Sequence, residues 1–338
     1  MWTTLGHTKA IGLFEAGLRR GSFSHAYLIV GPAHVGKMTL ARDLAAALNC
    51  ETDRPPCGEC PSCLRIASRK HADVQEIGLA KNQGDGKTQA EIGIDEIRQL
   101  QHSAWLPPFE GKRKVFIIDG SELLSIEAAN CLLKTLEEPS PGSVFVLLTT
   151  NEDLLPATVI SRCQRVELAP LPAGIVESAL VERWGLVGDK AHLLARLSRG
   201  CLGWAVMAKD DDSLGGRTGA LDELVSVIEG DYEERFACAA ELATRFGKDR
   251  EAVSGTLGLW LDWWRDLMLV RAGLTEMVIN VDRVDTLTMM AGQYDLAQIR
   301  SGIESIREAR EQLKLNANPR LTIEVMMLAW PAFDKANV

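Results

Sequence analysis

The chain has 338 residues, which is enough for two or three domains with cores of their own. Hydrophobic residues make up 46% and charged residues 25%, as is usual for a globular protein. The net charge of −9 disfavours a protein that coats nucleic acid, so any DNA contact should be local or made through partners. We expect a cytoplasmic protein without membrane contact, because the sequence lacks an apolar run of spanning length and a signal-peptide pattern.

A phosphate-binding loop is predicted near the N-terminus. The apolar run YLIV predicts a buried strand, and Gly31, Gly36 and Lys37 follow it in the spacing G-x-x-x-x-G-K. A helical pattern then begins at Met38. Strand, glycine loop and helix form a P-loop, in which backbone N–H groups cradle phosphates. The position of Met38 normally carries a hydroxyl that binds Mg²⁺, and a thioether cannot replace that hard oxygen ligand.

Four of the eight cysteines are clustered: Cys50, Cys57, Cys60 and Cys63. Four thiolates are enough to close a tetrahedral zinc site. The cluster contains no histidine and has no obvious open ligand position, so we expect a structural zinc rather than zinc chemistry. The alternative is a set of reduced thiols or a redox pair.

Polar residues follow two further apolar strands. Asp119 ends the strand VFIID, where a Walker B carboxylate would hold Mg²⁺ through water. An ATPase of this type usually has a glutamate next, but here Gly120 follows. Glu122 could replace that base only if the loop re-aimed it. Thr150 follows the strand VFVLL, where it suits either a phosphate sensor or a turn.

The four-cysteine insertion and five further segments together resemble the AAA+ subunits of the bacterial DNA polymerase III clamp loader. The five segments are GPAHVGKMTLA, VFIIDGSELL, AANCLLKTLEEPSP, VFVLLTTN and ISRCQRVEL. Their order and spacing match over about residues 1–170. The resemblance implies an α/β fold, with an AAA+ P-loop αβα domain and parallel sheet over 1–168 and a zinc module at 50–63. It further implies a small helical lid over 169–209 and an all-α collar domain for oligomerisation over 217–338.

The resemblance also implies partners and a role for one arginine. In this family the arginine of the SRC motif reaches the γ-phosphate of ATP held by a neighbouring subunit. On this sequence that arginine finger is Arg162, which would act in trans. Taken alone, Arg162 fits a surface salt-bridge partner better. The implied partners are gamma/tau-type ATPase subunits and a delta-type clamp-opening subunit in a pentameric ring, with the sliding clamp and primer-template DNA reached through the complex.

Three departures distinguish the chain from the gamma/tau motor pattern. Met38 replaces the magnesium-binding hydroxyl, Gly120 replaces the catalytic glutamate, and Gly203 replaces a sensor arginine in the lid motif. These losses favour the delta-prime class, which keeps the finger without hydrolysing ATP. The alternatives are an active gamma/tau-type ATPase, or a zinc-stapled interaction protein with an idle finger. Because Lys37 and the glycines remain, the loop is either a weak ATP-binding site or an architectural turn with a solvated lysine.

The C-terminal half is predicted to be helical. Val181 and Trp184 are plausible core residues of the lid. The acidic, glycine-bearing stretch 210–216 predicts a flexible domain boundary, and the polar stretch 78–91 predicts a mobile loop. Apolar stripes at helical spacing follow from about 217 onward and are typical of helix packing rather than of catalysis.

Overall fold

The computed structural model describes residues 1–79, 91–210 and 213–332. Most of the predicted loop 78–91 therefore lies outside the described residues. Within the described part of the chain, no helix is both long and apolar enough to cross a membrane.

The chain divides into two compact units. The first contains Met1–Val176 and Gly200–Trp204, and the second contains Glu177–Arg199 and the residues from Ala205 onward. The three-domain division into 1–168, 169–209 and 217–338 stays a prediction.

The first unit is built on a five-stranded parallel sheet. Its strands are β1 (Ala26–Val30), β2 (Val74–Ile77), β3 (Lys114–Asp119), β4 (Ser143–Thr149) and β5 (Gln164–Glu167), in the order β2-β3-β4-β1-β5. Every residue of the central strand β4 is buried, as expected for a parallel sheet covered on both faces. Because the strands are parallel and β3, β4 and β1 are neighbours, the loops after these three strands meet at the same edge of the sheet.

Helices cover both faces of this sheet and form two apolar layers. One layer contains Phe14, Leu40 and Leu44, and the other contains Phe116 and Leu132. The helices of this region are α1 (Thr8–Arg20), α2 (Lys37–Asn49), α3 (Pro61–Ala67), α4 (Ile94–Trp105), α5 (Ile126–Glu137) and α6 (Ala157–Ile160).

The rest of the described chain is helical. The core of the second unit includes Trp260, Trp263 and Trp264, all fully buried. Buried Arg235 donates hydrogen bonds to five backbone carbonyls of this unit. The helices are α7 (Ala173–Trp184), α8 (Gly188–Leu197), α9 (Leu202–Ala208), α10 (Ser213–Glu229), α11 (Tyr232–Lys248), α12 (Arg250–Arg271), α13 (Val284–Gln293), α14 (Leu296–Lys314) and α15 (Pro319–Leu328).

The stretch 210–216 lies partly outside the described residues, since 211 and 212 are not among them, and the flexible boundary there stays a prediction. Helix α10 begins at Ser213, and its buried Arg217 forms two 2.8 Å contacts with the Asp282 carboxylate. One expectation for this half is wrong. Val181 and Trp184, expected in the core of the lid, are exposed, at 43% and 36%.

The exposure of these two side chains follows from helix geometry. Helix α7 buries Val176, Ala179 and Leu180, which share one face at i, i+3 and i+4. Val181 lies off that face, and Trp184 is the last residue of the helix.

Candidate functional site

The P-loop follows β1 and bonds to its own lysine. Gly36 has φ +116°, a backbone conformation that favours glycine, and it leads directly into α2. Lys37 Nζ donates hydrogen bonds to the carbonyls of Gly31 (2.6 Å) and Pro32 (2.8 Å). The residue is only 8% exposed, so the alternative of a solvated lysine is wrong. Burial lowers the pKa of Lys37, and the nearby Asp119 carboxylate opposes that shift.

The position that should bind magnesium serves packing instead. Met38 lies in the first turn of α2 and is partly buried against the apolar layer that contains Leu40 and Leu44. Its thioether offers no ligand that Mg²⁺ accepts readily. The first turn of α2 can therefore present backbone N–H groups, but it lacks the hydroxyl of an ordinary metal–nucleotide site.

A carboxylate pair lies at the edge of the sheet beside this loop. Burial raises the pKa of Asp119, and Lys37 partly offsets the rise. Glu122 Oε1 accepts hydrogen bonds from Thr150 N (3.1 Å) and Thr150 Oγ1 (2.5 Å). Burial alone would raise the pKa of Glu122, but these bonds lower it overall. Gly120, with φ +70°, makes the turn that brings Glu122 back to the sheet edge.

Thr150 follows the end of β4, and its role as a phosphate sensor stays a prediction. Its hydroxyl is committed to Glu122 in this structure. The turn is made by its neighbours, since Thr149 Oγ1 donates to the Asn151 carbonyl at 3.0 Å and Asn151 Oδ1 accepts from Asp153 N. A phosphate would have to replace Glu122 as the partner of Thr150.

The stretch Gly200–Trp204, predicted to belong to the lid, packs its backbone directly on the P-loop. Gly203 N donates to the His34 carbonyl at 2.9 Å. A Cβ at Gly203 would lie 2.7 Å from that same oxygen, closer than van der Waals contact allows. His34 itself has φ +61°, which is uncommon for a residue with a side chain. The position where a motor has its sensor arginine therefore has no room for a side chain unless the P-loop moves. Sequence reasoning missed His34, because its carbonyl is a partner of Gly203 only through a contact between segments far apart in the chain.

Arg162 lies on the surface and is held by an acidic partner. Its Nη1 donates to the Thr158 carbonyl at 2.9 Å, and its Nη2 lies 2.6 Å from Glu137 Oε1. The arginine side chain is 34% exposed and that of Glu137 is 50% exposed. The surface ion pair that the residues alone suggested is present. Sequence reasoning missed Glu137 as the partner, although it belongs to the LEEP segment that carries the resemblance.

The four clustered cysteines form a compact sulfur site. Their sulfur atoms all lie within 4.8 Å of one another. The sulfurs of Cys57 and Cys63 are 3.9 Å apart, close to the roughly 3.8 Å expected between thiolates of a tetrahedral zinc with bonds of about 2.3 Å. Backbone N–H groups of Glu59 and Cys60 point at the Cys57 sulfur and lower its pKa to about 6. Burial raises the pKa of the Cys63 thiol to about 12, so the two cysteines are shifted in opposite directions. The spacing of the four sulfurs fits zinc.

Two family models match the chain. One, described as DNA polymerase III, delta subunit, matches residues 6–172. The other, described as DNA polymerase III, delta subunit, C terminal, matches residues 237–331. The chain belongs to the DNA polymerase III clamp-loader family.

Curated relatives include two kinds of subunit. The chain is 29% identical to DNA polymerase III subunit tau of Bacillus subtilis, over 96% of this chain and 60% of that protein. It is 27% identical to DNA polymerase III subunit delta' of the same organism, over 95% of this chain and 94% of that protein. It is 33% identical to subunit tau of Escherichia coli, over 68% of this chain and 36% of that protein. This clamp-loader subunit thus spans less than two thirds of either tau protein.

Proposed function

We propose that the chain is a delta-prime-type subunit of the DNA polymerase III clamp loader that hydrolyses no ATP itself. In this proposal it joins gamma/tau-type ATPase subunits and a delta-type clamp-opening subunit in a pentameric ring. The ring loads the sliding clamp on primer-template DNA. The contribution of this chain is assembly together with Arg162, supplied in trans to ATP bound by a neighbour.

The contact between Gly203 and His34 is the observation that carries the proposal. A motor subunit places an arginine from the lid over its own nucleotide. Here the corresponding position is Gly203, whose backbone N–H donates a hydrogen bond to the P-loop carbonyl of His34. Met38 removes the metal ligand at the same site, and Gly120 removes the usual base. Loss of one transition-state contact typically costs about 10²–10³ in rate, so losing metal ligand, base and cation together leaves no useful hydrolysis.

The setting of Arg162 supports its role as a finger. The ion pair with Glu137 is exposed, and such pairs contribute only about 0–1 kcal/mol. Exchange of the Glu137 carboxylate for a neighbour's phosphate therefore costs little. Until that exchange, Glu137 and the Thr158 carbonyl hold the guanidinium at the surface. An arginine finger accelerates phosphoryl transfer by about 10³–10⁵ at the site it serves.

Zinc fits this proposal as a structural element. The residues that would hold it are Cys50, Cys57, Cys60 and Cys63, and its thiolate ligands would fix the turn before α3. The Lys112 ammonium donates to the Cys50 carbonyl, and Arg113 N donates to Asn49 Oδ1 at 2.9 Å. The cysteine module is thus fastened to the segment that leads into β3.

The second candidate is an active gamma/tau-type ATPase. It is favoured by the retained Lys37 and Asp119 and by the 29% identity to the Bacillus subtilis tau subunit. Magnesium-dependent ATP hydrolysis by the purified chain separates the two. The delta-prime proposal predicts no turnover above a buffer blank, whereas turnover near 1 s⁻¹, within the usual enzyme range, would establish the motor.

A partner with a disabled P-loop extends this test to the assembly. A gamma/tau-type subunit whose own P-loop lysine is replaced is mixed with this chain, and hydrolysis is compared with that of the intact pair. We expect no ATP hydrolysis in the mixture that contains the lysine-replaced partner. Residual turnover would have to arise in this chain and would contradict the proposal.

A further inference from the structure

A cavity of about 310 Å³ lies in the second unit, where the first turns of α12 meet the ends of α11 and α14. Its apolar walls include Phe246, Leu257 and Leu313. The volume is at the lower end of the range for ligand pockets and has room for one or two large side chains. Nothing in the clamp-loader proposal uses this cavity.

The rim of the cavity is basic. Arg250, Arg310 and Lys314 line it together with a single acidic residue, Glu251. A local excess of positive charge is unexpected on a chain whose net charge is −9. These cations lie beside apolar walls with a low dielectric constant, where their attraction for an anion is stronger than on an open surface.

Arg310 carries an unused donor. Its Nε is buried and has no hydrogen-bond partner among the described residues. Arg250, in contrast, stacks over the Phe246 ring at 5.3 Å and donates to Asn316 Oδ1 at 2.9 Å. A buried unpaired donor is unfavourable, and a carboxylate bound in the cavity would satisfy it once the Arg310 side chain turned toward it. Lys314 forms an exposed ion pair with Glu311 at 2.8 Å. Of the three cations of the rim, Arg310 is thus the one with an unpaired buried donor.

We propose that this cavity binds a short acidic peptide segment of a partner protein, with a large apolar side chain beside its carboxylates. The apolar side chain fills the space between Phe246, Leu257 and Leu313. The carboxylates meet the basic rim, with Arg310 as the central contact. A nucleic-acid backbone would satisfy the cations but would leave the apolar walls empty, so the combination favours a peptide. The inference does not rest on the proposed delta-prime role.

Two labelled peptides test the proposal by fluorescence anisotropy with the full-length chain. The first has the sequence Glu-Glu-Leu-Phe-Glu-Glu with blocked ends, and the second replaces Leu-Phe with Ser-Ser. We expect saturable binding of the first peptide and at least about tenfold weaker binding of the second, because the serines lose the apolar burial. We expect Arg310→Met to weaken the first peptide at least about tenfold, since a charge-assisted hydrogen bond is lost.

The matched control is Arg300→Met, which removes an exposed arginine paired with Glu304 on the same helix. It should bind within about twofold of the unmodified chain. If Arg310→Met has a clearly lower Tm than the unmodified chain, Lys314→Met provides a second test of the rim. We expect Lys314→Met also to weaken binding of the first peptide. Equal affinity for the two peptides, displacement by duplex DNA, no saturable binding, or equal loss in the Arg310 and Arg300 variants would each overturn the proposal.

Discussion

The packing of Gly203 on the P-loop predicts an unusual response to alanine. In a helix interior, glycine to alanine normally stabilises by about 0.5–1 kcal/mol. At Gly203 the new Cβ would lie 2.7 Å from the His34 carbonyl oxygen, a backbone atom that cannot rotate away. Overpacking of this kind costs about 1–3 kcal/mol. Loss of the 2.9 Å hydrogen bond from Gly203 N would cost a further 0.5–1.5 kcal/mol, approximately.

The unfavourable terms exceed the helix propensity gain, so we expect Gly203→Ala to be destabilising. For a domain of about 150–250 residues, 1 kcal/mol shifts the midpoint of unfolding by roughly 2–4 °C. A net loss of about 1–3 kcal/mol therefore lowers Tm by several degrees in a calorimetric scan. Gly12→Ala in α1 is the matched control, because no heavy atom lies within 4 Å of its added Cβ.

The Tm of Gly203→Ala should fall by several degrees, whereas the Tm of Gly12→Ala should stay unchanged or rise slightly. Equal melting of Gly203→Ala and Gly12→Ala would refute the close approach of lid and P-loop. The same geometry predicts that Gly203→Arg fails to restore a sensor arginine. ATP turnover in that variant, together with undiminished stability, would refute the account of the inactive site.

Three further predictions concern stability. Asp73 accepts three backbone N–H bonds from residues 109–111 at 2.7–2.8 Å, and these lower its pKa although burial opposes them. Asp73→Asn should therefore lower the free energy of unfolding at pH 7 by about 1–3 kcal/mol. The difference between the variant and the unmodified chain should narrow below about pH 4, because the Asp73 carboxylate becomes protonated there. Urea titrations at several pH values check both expectations. Cys60→Ser should abolish stoichiometric zinc in elemental analysis, and a chelator should lower the Tm of the unmodified chain but not of the variant. Arg235→Met should destabilise the helical unit by about 3 kcal/mol or more in urea, because five backbone carbonyls lose a hydrogen-bond donor. An effect no larger than that of Arg300→Met, which removes an exposed arginine, would contradict this.

The sequence predicted the elements whose signals are local. The P-loop spacing, the strand that ends at Asp119 and the cysteine spacing each depend on a few consecutive residues and their backbone requirements. The cap of α5 is equally local, since the Ser125 hydroxyl accepts a hydrogen bond from Ala128 N, only three residues ahead. The parallel strand order then brings Asp119 and Thr150 to the edge where the P-loop lies.

The sequence could not predict features that depend on contacts between distant segments. The burial of Lys37 against its own loop and the pairing of Arg162 with Glu137 depend on side-chain orientation, for which spacing gives no signal. The contact between Gly203 and His34 joins segments far apart in the chain. Its one sequence signal is a glycine where the family motif carries arginine, since glycine often marks close backbone approach.

The central claim is that Arg162 serves a phosphate held by another subunit. The most direct measurement is single-turnover ATP hydrolysis by a gamma/tau-type subunit mixed with this chain, comparing Arg162→Ala with Arg165→Ala. Arg165 is the matched control, because it is an exposed arginine three residues away that pairs with Glu152 and Glu167. The account predicts a fall of about 10³ or more at the served site for Arg162→Ala and little change for Arg165→Ala. Equal rates for the two variants, in an assembly shown by size to be intact, would contradict it.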